Sequence, residues 1–82
     1  MSVVKMNRGR IEIILDILGQ CRTPLCKWNV IYKCNLNAPM FKAYINSLEK
    51  KRLLVKVDNK YQTTPEGRSL VADLLFLKPL MR

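Results

Sequence analysis

The patterns along this chain predict a mainly α fold with a small β-hairpin, arranged as a winged helix-turn-helix with three helices, a two-stranded wing and a C-terminal helix. Three observations carry that prediction. Apolar residues recur at three- and four-residue spacing in separate segments on both sides of the chain's middle. Between Asn35 and Tyr61 a basic amphipathic helix runs directly into two short strands joined by Asp58-Asn59. Thr23-Pro24, Asn37-Ala38-Pro39 and Thr64-Pro65 each place a capping side chain just ahead of a proline, the signature of a helix start.

Taken in order, Met1 to Asn7 reads as a basic arm. Helix 1 is expected from about Arg8 to Gly19, with Ile11, Ile14, Leu15 and Leu18 on its apolar face and Ile13 and Ile17 widening it. Glu12 and Asp16 lie one turn apart on the other side, a polar face near Arg8 and Arg10. Helix 2 is expected over Pro24 to Lys33, where Leu25, Trp28, Val30, Ile31 and Tyr32 supply more apolar surface than one buried stripe uses. Asn37 caps helix 3 over 38–51. Phe41, Ile45 and Leu48 share one face of it, and Pro39, Lys42, Ala43, Asn46 and Lys50 point outward. The strands of the wing fall within 54–63, with Lys56 and Lys60 beside the turn. The last helix starts at Pro65 and is apolar on more than one face through Leu70, Val71, Leu74 and Leu77, which predicts a C-terminal dimerisation helix over 65–82.

The totals constrain partners. The 82 residues carry 15 Lys and Arg against 6 Asp and Glu, a formal charge of +9, with 49% hydrophobic residues. Such a small chain forms one domain, and its charge excess creates a positive face suited to polyanions. Nucleic acid leads, ahead of an anionic membrane surface and an acidic protein. Arg and Lys ahead of the first apolar segment, and Glu12 and Asp16 within it, predict neither a signal peptide nor a membrane span. Cys21, Cys26 and Cys34 are odd in number and fit a reducing, cytoplasmic setting. With no His and no close Cys pair, neither a metal site nor a cofactor is expected. No nucleophile has a His partner and no glycine-rich phosphate loop exists, so the sequence does not predict an enzyme.

The runs Arg10-Ile11-Glu12-Ile13-Ile14, Val30 to Asn37, the spaced Tyr44, Ile45 and Leu48, then Leu53-Leu54, and Tyr61-Gln62-Thr63-Thr64-Pro65-Glu66-Gly67 together make a recognisable set. They resemble the small archaeal winged-helix DNA-binding proteins, similar to the ten-kilodalton DNA-binding proteins of Sulfolobus, which pair through an antiparallel C-terminal helix. The resemblance spans about Arg8 to Leu75. Arg52 stands where that family usually has a glycine, Trp28 replaces a small polar residue, and the last helix is shorter than in the long coiled-coil members.

The resemblance implies DNA binding through helix 3 and the wing, by a transcriptional regulator or chromatin-associated factor on the nucleoid. Lys42 and Asn46 would lie nearest the bases, with Pro39 and Ala43 beside them. Lys50, Lys56 and Lys60 would hold the backbone, and Arg8, Arg10, Lys27 and Lys33 are phosphate-positioning candidates. Competing readings stay open. Lysines on a helix often form only a solvated face, and lysines on a hairpin also guard against edge-to-edge pairing. The apolar excess around Trp28 and the C-terminal helix would equally serve a winged-helix protein-interaction module in a larger assembly.

Overall fold

The structure, a computed structural model, describes residues 9–77. Its elements run α1 (Arg10–Gln20), β1 (Leu25–Cys26), α2 (Lys27–Lys33), α3 (Ala38–Lys50), β2 (Leu54–Val57), β3 (Lys60–Thr63) and α4 (Pro65–Leu77). One cluster of buried side chains from α1, α2, α3 and the sheet forms the core.

Helix α1 begins at Gly9, whose N–H donates to Glu12 Oε1 at 2.8 Å, so this carboxylate serves the helix start. The buried stripe is Ile13, Ile17, Leu18 and then Cys21. Ile14 and Leu15 are half-buried and Ile11 is exposed, so the core-facing line is rotated from the Ile11–Leu15–Leu18 line towards the residues expected only to widen it.

Helix α2 begins at Lys27, later than the Thr23-Pro24 cap predicts. Leu25 and Cys26 are instead a strand, antiparallel to β3 with Leu25 opposite Tyr61 and Cys26 opposite Lys60. The physical reason is competition for backbone partners. Pro24 offers no N–H to a helix or ladder, and an edge strand tolerates it; the outer side of β3 supplies partners for the next two residues. The two-stranded wing, β2 and β3, is therefore extended by β1 into a three-stranded sheet ordered β1-β3-β2.

Two helix ends shape the turn into α3 and the turn out of it. Asn35 has φ 56, its N–H donates to the Tyr32 carbonyl at 3.3 Å, and Leu36 N–H donates to the Ile31 carbonyl at 2.9 Å. That pair of bonds closes α2 in a left-handed cap, a conformation Asn tolerates. Arg52 repeats the geometry after α3, with φ 60 and bonds from Arg52 N–H to Glu49 O at 3.0 Å and Leu53 N–H to Leu48 O at 2.9 Å. A side chain with Cβ is strained there. Replacing Arg52 by glycine is expected to stabilise the protein by about 1 kcal/mol, the left-handed cost less glycine's greater freedom when unfolded. Thermal denaturation would show it as a rise of roughly 4–8 °C. An unchanged melting temperature would mean that contacts of the arginine side chain offset the strain.

The hairpin turns on Asp58 and Asn59, φ 53 and 63, the two-residue left-handed turn whose twist matches the strands it joins. Thr63 locks β3 to the end of α1: its buried hydroxyl donates to Leu18 O at 2.6 Å and its N–H to Cys21 O at 2.8 Å, satisfying carbonyls that the helix end leaves free. Thr64 then opens α4. Its hydroxyl donates to Arg52 O at 2.7 Å and accepts from Gly67 N–H at 3.0 Å.

Candidate nucleic-acid interface

The sequence of α3 divides it cleanly. Asn37 Oδ1 accepts from Met40 N–H at 2.8 Å and fixes its start, with Pro39 in the first turn. Phe41, Ile45 and Leu48 are buried, which leaves Pro39, Lys42, Ala43, Asn46 and Lys50 exposed. Lys42, Asn46 and Lys50, at four-residue steps, make one polar and basic stripe, slowly drifting around the helix. It combines cations for phosphates with an amide able to pair with a base edge.

The wing joins this helix through aromatic rings. Phe41 and Tyr61 meet edge to face, centroids 5.5 Å apart at 81°. Cations stand on either side of the pair: Lys56 Nζ is 5.6 Å from the Tyr61 ring, and Lys27 Nζ is 5.9 Å from Phe41 and 5.1 Å from Trp28. One continuous edge thus links the start of α2, the first half of α3 and the wing. Each contact is modest in energy, but together they hold two lysines beside α3.

Lys56 and Lys60 both flank the turn but do not share a face. Lys56 lies opposite Tyr61 in the register, on the side of the sheet facing the helices. Lys60 is opposite Val57 and Cys26, and so projects from the other side. Arg10 is exposed at the first residue of α1 and Lys33 at the last of α2, where its charge complements the helix dipole. Neither belongs to the Phe41–Tyr61 edge in any ring contact. Arg8 lies outside the described residues.

Periodicity alone does not reveal Trp28 as part of this patch. It is 66% exposed, and Tyr32 one turn later is 85% exposed. The signal in the sequence is the surplus of apolar residues in helix 2, which the core absorbs only through Val30 and partly Ile31.

On α4, Leu70 and Val71 are half-buried against the core of their own chain and Leu74 is half-buried. Leu75, Phe76 and Leu77 are exposed, Phe76 at 73%. All three cysteines are free, Cys21 and Cys34 buried and Cys26 half-buried. Burial, followed by the neighbouring Cys34, pushes the Cys21 thiol from 9.0 up to about 12, so it stays protonated and unreactive at neutral pH. Among the described residues no three His, Cys, Asp or Glu side chains group in a way that could hold a metal ion. No helix among them is long and apolar enough to cross a membrane.

Comparison with solved structures finds the same architecture in Sso10a-2, a DNA-binding protein from Sulfolobus solfataricus. The two are 25% identical with a TM-score of 0.71, over 90% of this chain and 85% of that one. No curated protein sequence matches. The winged helix-turn-helix family profile matches residues 7–81, nearly the whole chain. Profile and geometry agree on the same elements: the chain belongs to the winged helix-turn-helix family.

Proposed function

We propose that the protein binds double-stranded DNA as a homodimer, with α3 in the major groove and the wing against the adjacent backbone. The carrying observation is the exposed Lys42–Asn46–Lys50 stripe set beside Lys27 and Lys56 by the Phe41–Tyr61 contact. Lys42 and Asn46 read base edges with Pro39 and Ala43 close to the groove floor, where small side chains allow approach. Lys50, Lys56, Lys60, Lys27, Lys33, Arg10 and Arg8 contact phosphates. The similarity to a Sulfolobus DNA-binding protein supports the reading. A regulator or chromatin-associated factor in the cytoplasm, on the nucleoid, is the role that follows.

The second copy would cover the apolar end of α4, through Leu74, Leu77 and the adjoining Leu70 and Val71. Exposed Phe76 and Leu77 are the support for it, since isolated surfaces of this kind favour association. Pairing two copies would present two α3 helices to one duplex at a fixed spacing.

Affinity for a mixed-sequence duplex, measured across a salt series, tests the DNA reading. With about seven phosphate contacts per protomer, the plot of log affinity against log salt should fall with a slope of roughly 6 per protomer, at about 0.9 per phosphate. Absence of binding at low salt would sink the reading and turn attention to the exposed Trp28 and Tyr32, which favour a protein-interaction module instead.

A further inference from the structure

Between the end of α1 and one flank of α4 lies a groove of about 250 Å³, lined by Leu18, Arg22, Arg68, Val71, Ala72 and Leu75. Its chemistry is mixed in a particular way. Leu18 is fully buried and forms an apolar floor, and Val71, Ala72 and Leu75 make an apolar wall one helix-face wide. Arg22, just beyond α1, and Arg68, near the start of α4, are both exposed and give the lining two positive charges. No Asp or Glu lines the groove.

We propose that this groove binds a small amphipathic carboxylate, its head held by Arg22 and Arg68 and its apolar body laid against Val71, Ala72 and Leu75. Guanidinium forks match the two oxygens of a carboxylate, and a pair of them beside apolar walls selects a ligand that is anionic at one end only. The volume sets the ligand's size. Drug-sized ligands occupy clefts of roughly 300–1,000 Å³, so this groove suits a short aliphatic chain or a single ring.

A second copy of the chain fits less well. It would bring further Arg and Lys to a rim that already carries two positive charges, in a protein of net charge +9. Of the residues proposed for pairing, Leu70, Leu74 and Leu77 lie about 100° or more around α4 from Arg68 and Leu75, and Val71 alone is shared with the groove. The side of the groove made by Arg68, Ala72 and Leu75 thus stays open when that stripe is covered. No residue of α3 or of the wing lines it, so the site does not depend on DNA binding.

Titration calorimetry of the full chain with butanoate, octanoate and octanol, with a light-scattering mass for each mixture, tests the proposal. Octanoate should saturate one site per chain without changing the mass, and affinity should rise by up to about fourfold per added methylene from butanoate upward. Octanol should bind at least about tenfold more weakly, and Arg22→Gln with Arg68→Gln should weaken octanoate by at least about tenfold while leaving the melting temperature unchanged. Three results would each overturn the proposal: no saturation by octanoate through the low-millimolar range, equal affinity for octanol, or undiminished affinity in the arginine variant. A mass that halves as octanoate binds would show that a second copy, not a carboxylate, is the groove's occupant.

Discussion

Replacing Gly67 by alanine is expected to destabilise the protein by about 3 kcal/mol, near the upper end of what overpacking costs. A Cβ at this position would collide with the Leu53 carbonyl oxygen and lie 2.6 Å from Thr63 Cγ2 and 3.2 Å from the Leu53 carbonyl carbon. The first collision is with backbone, which cannot swing aside as the tip of a long side chain can. That backbone is also committed: Leu53 O accepts from Thr64 N–H at 3.1 Å, and Leu53 N–H closes the end of α3. Relief would have to move α4 away from the strand or break the Thr64 cap that holds Gly67 N–H. Thermal denaturation should show a fall of roughly 12–24 °C. A fall of only a degree or two would mean that α4 can shift on the sheet without loss, contrary to the packing described.

Reversing two charges on α3, Lys42→Glu with Lys50→Glu, is expected to weaken DNA binding on the order of 100-fold at moderate salt and to reduce the salt slope by about 1 per protomer, for the lost Lys50 phosphate contact. Both side chains are exposed, so the melting temperature should move by no more than a few degrees. The combination is diagnostic because it separates surface charge from folding. If the doubly reversed variant binds DNA as the native chain does, α3 is not the reading helix, and the wing and α2 lysines must act without it.

Much of this architecture is legible in the sequence, and the exceptions have physical causes. Asn37 and Thr64 fix helix starts through local bonds, and Asp58-Asn59 fixes the hairpin through backbone preference; local chemistry of this kind is visible within a few residues. The outward face of α3 follows from Phe41, Ile45 and Leu48 alone. Strand β1 is not legible, because its identity depends on β3, which lies far along the chain, and two residues have no periodicity to read. The rotation of the α1 core line is hidden for a related reason: with Ile or Leu at six of eight positions from Ile11 to Leu18, only tertiary packing decides which are covered. At the interface, α3 contributes a face that periodicity identifies. The edge through Lys27, Phe41, Tyr61 and Lys56 does not appear in any one segment, since each of its contacts joins different elements or depends on a rotamer.

Cys26 ends the sheet on one side and caps α2 on the other, with extended backbone at φ −76 and ψ 165. The strand stops where the helix starts, and no slack separates them. A tilt of the hairpin stem is therefore transmitted to the first turn of α2, and Lys27 and Trp28 travel with the wing. In a unit whose hairpin hung free, the wing and that helix would each lose orientational freedom on meeting a surface. Here much of that freedom is already lost on folding, and the two act as a single lever whose geometry is set before any partner arrives.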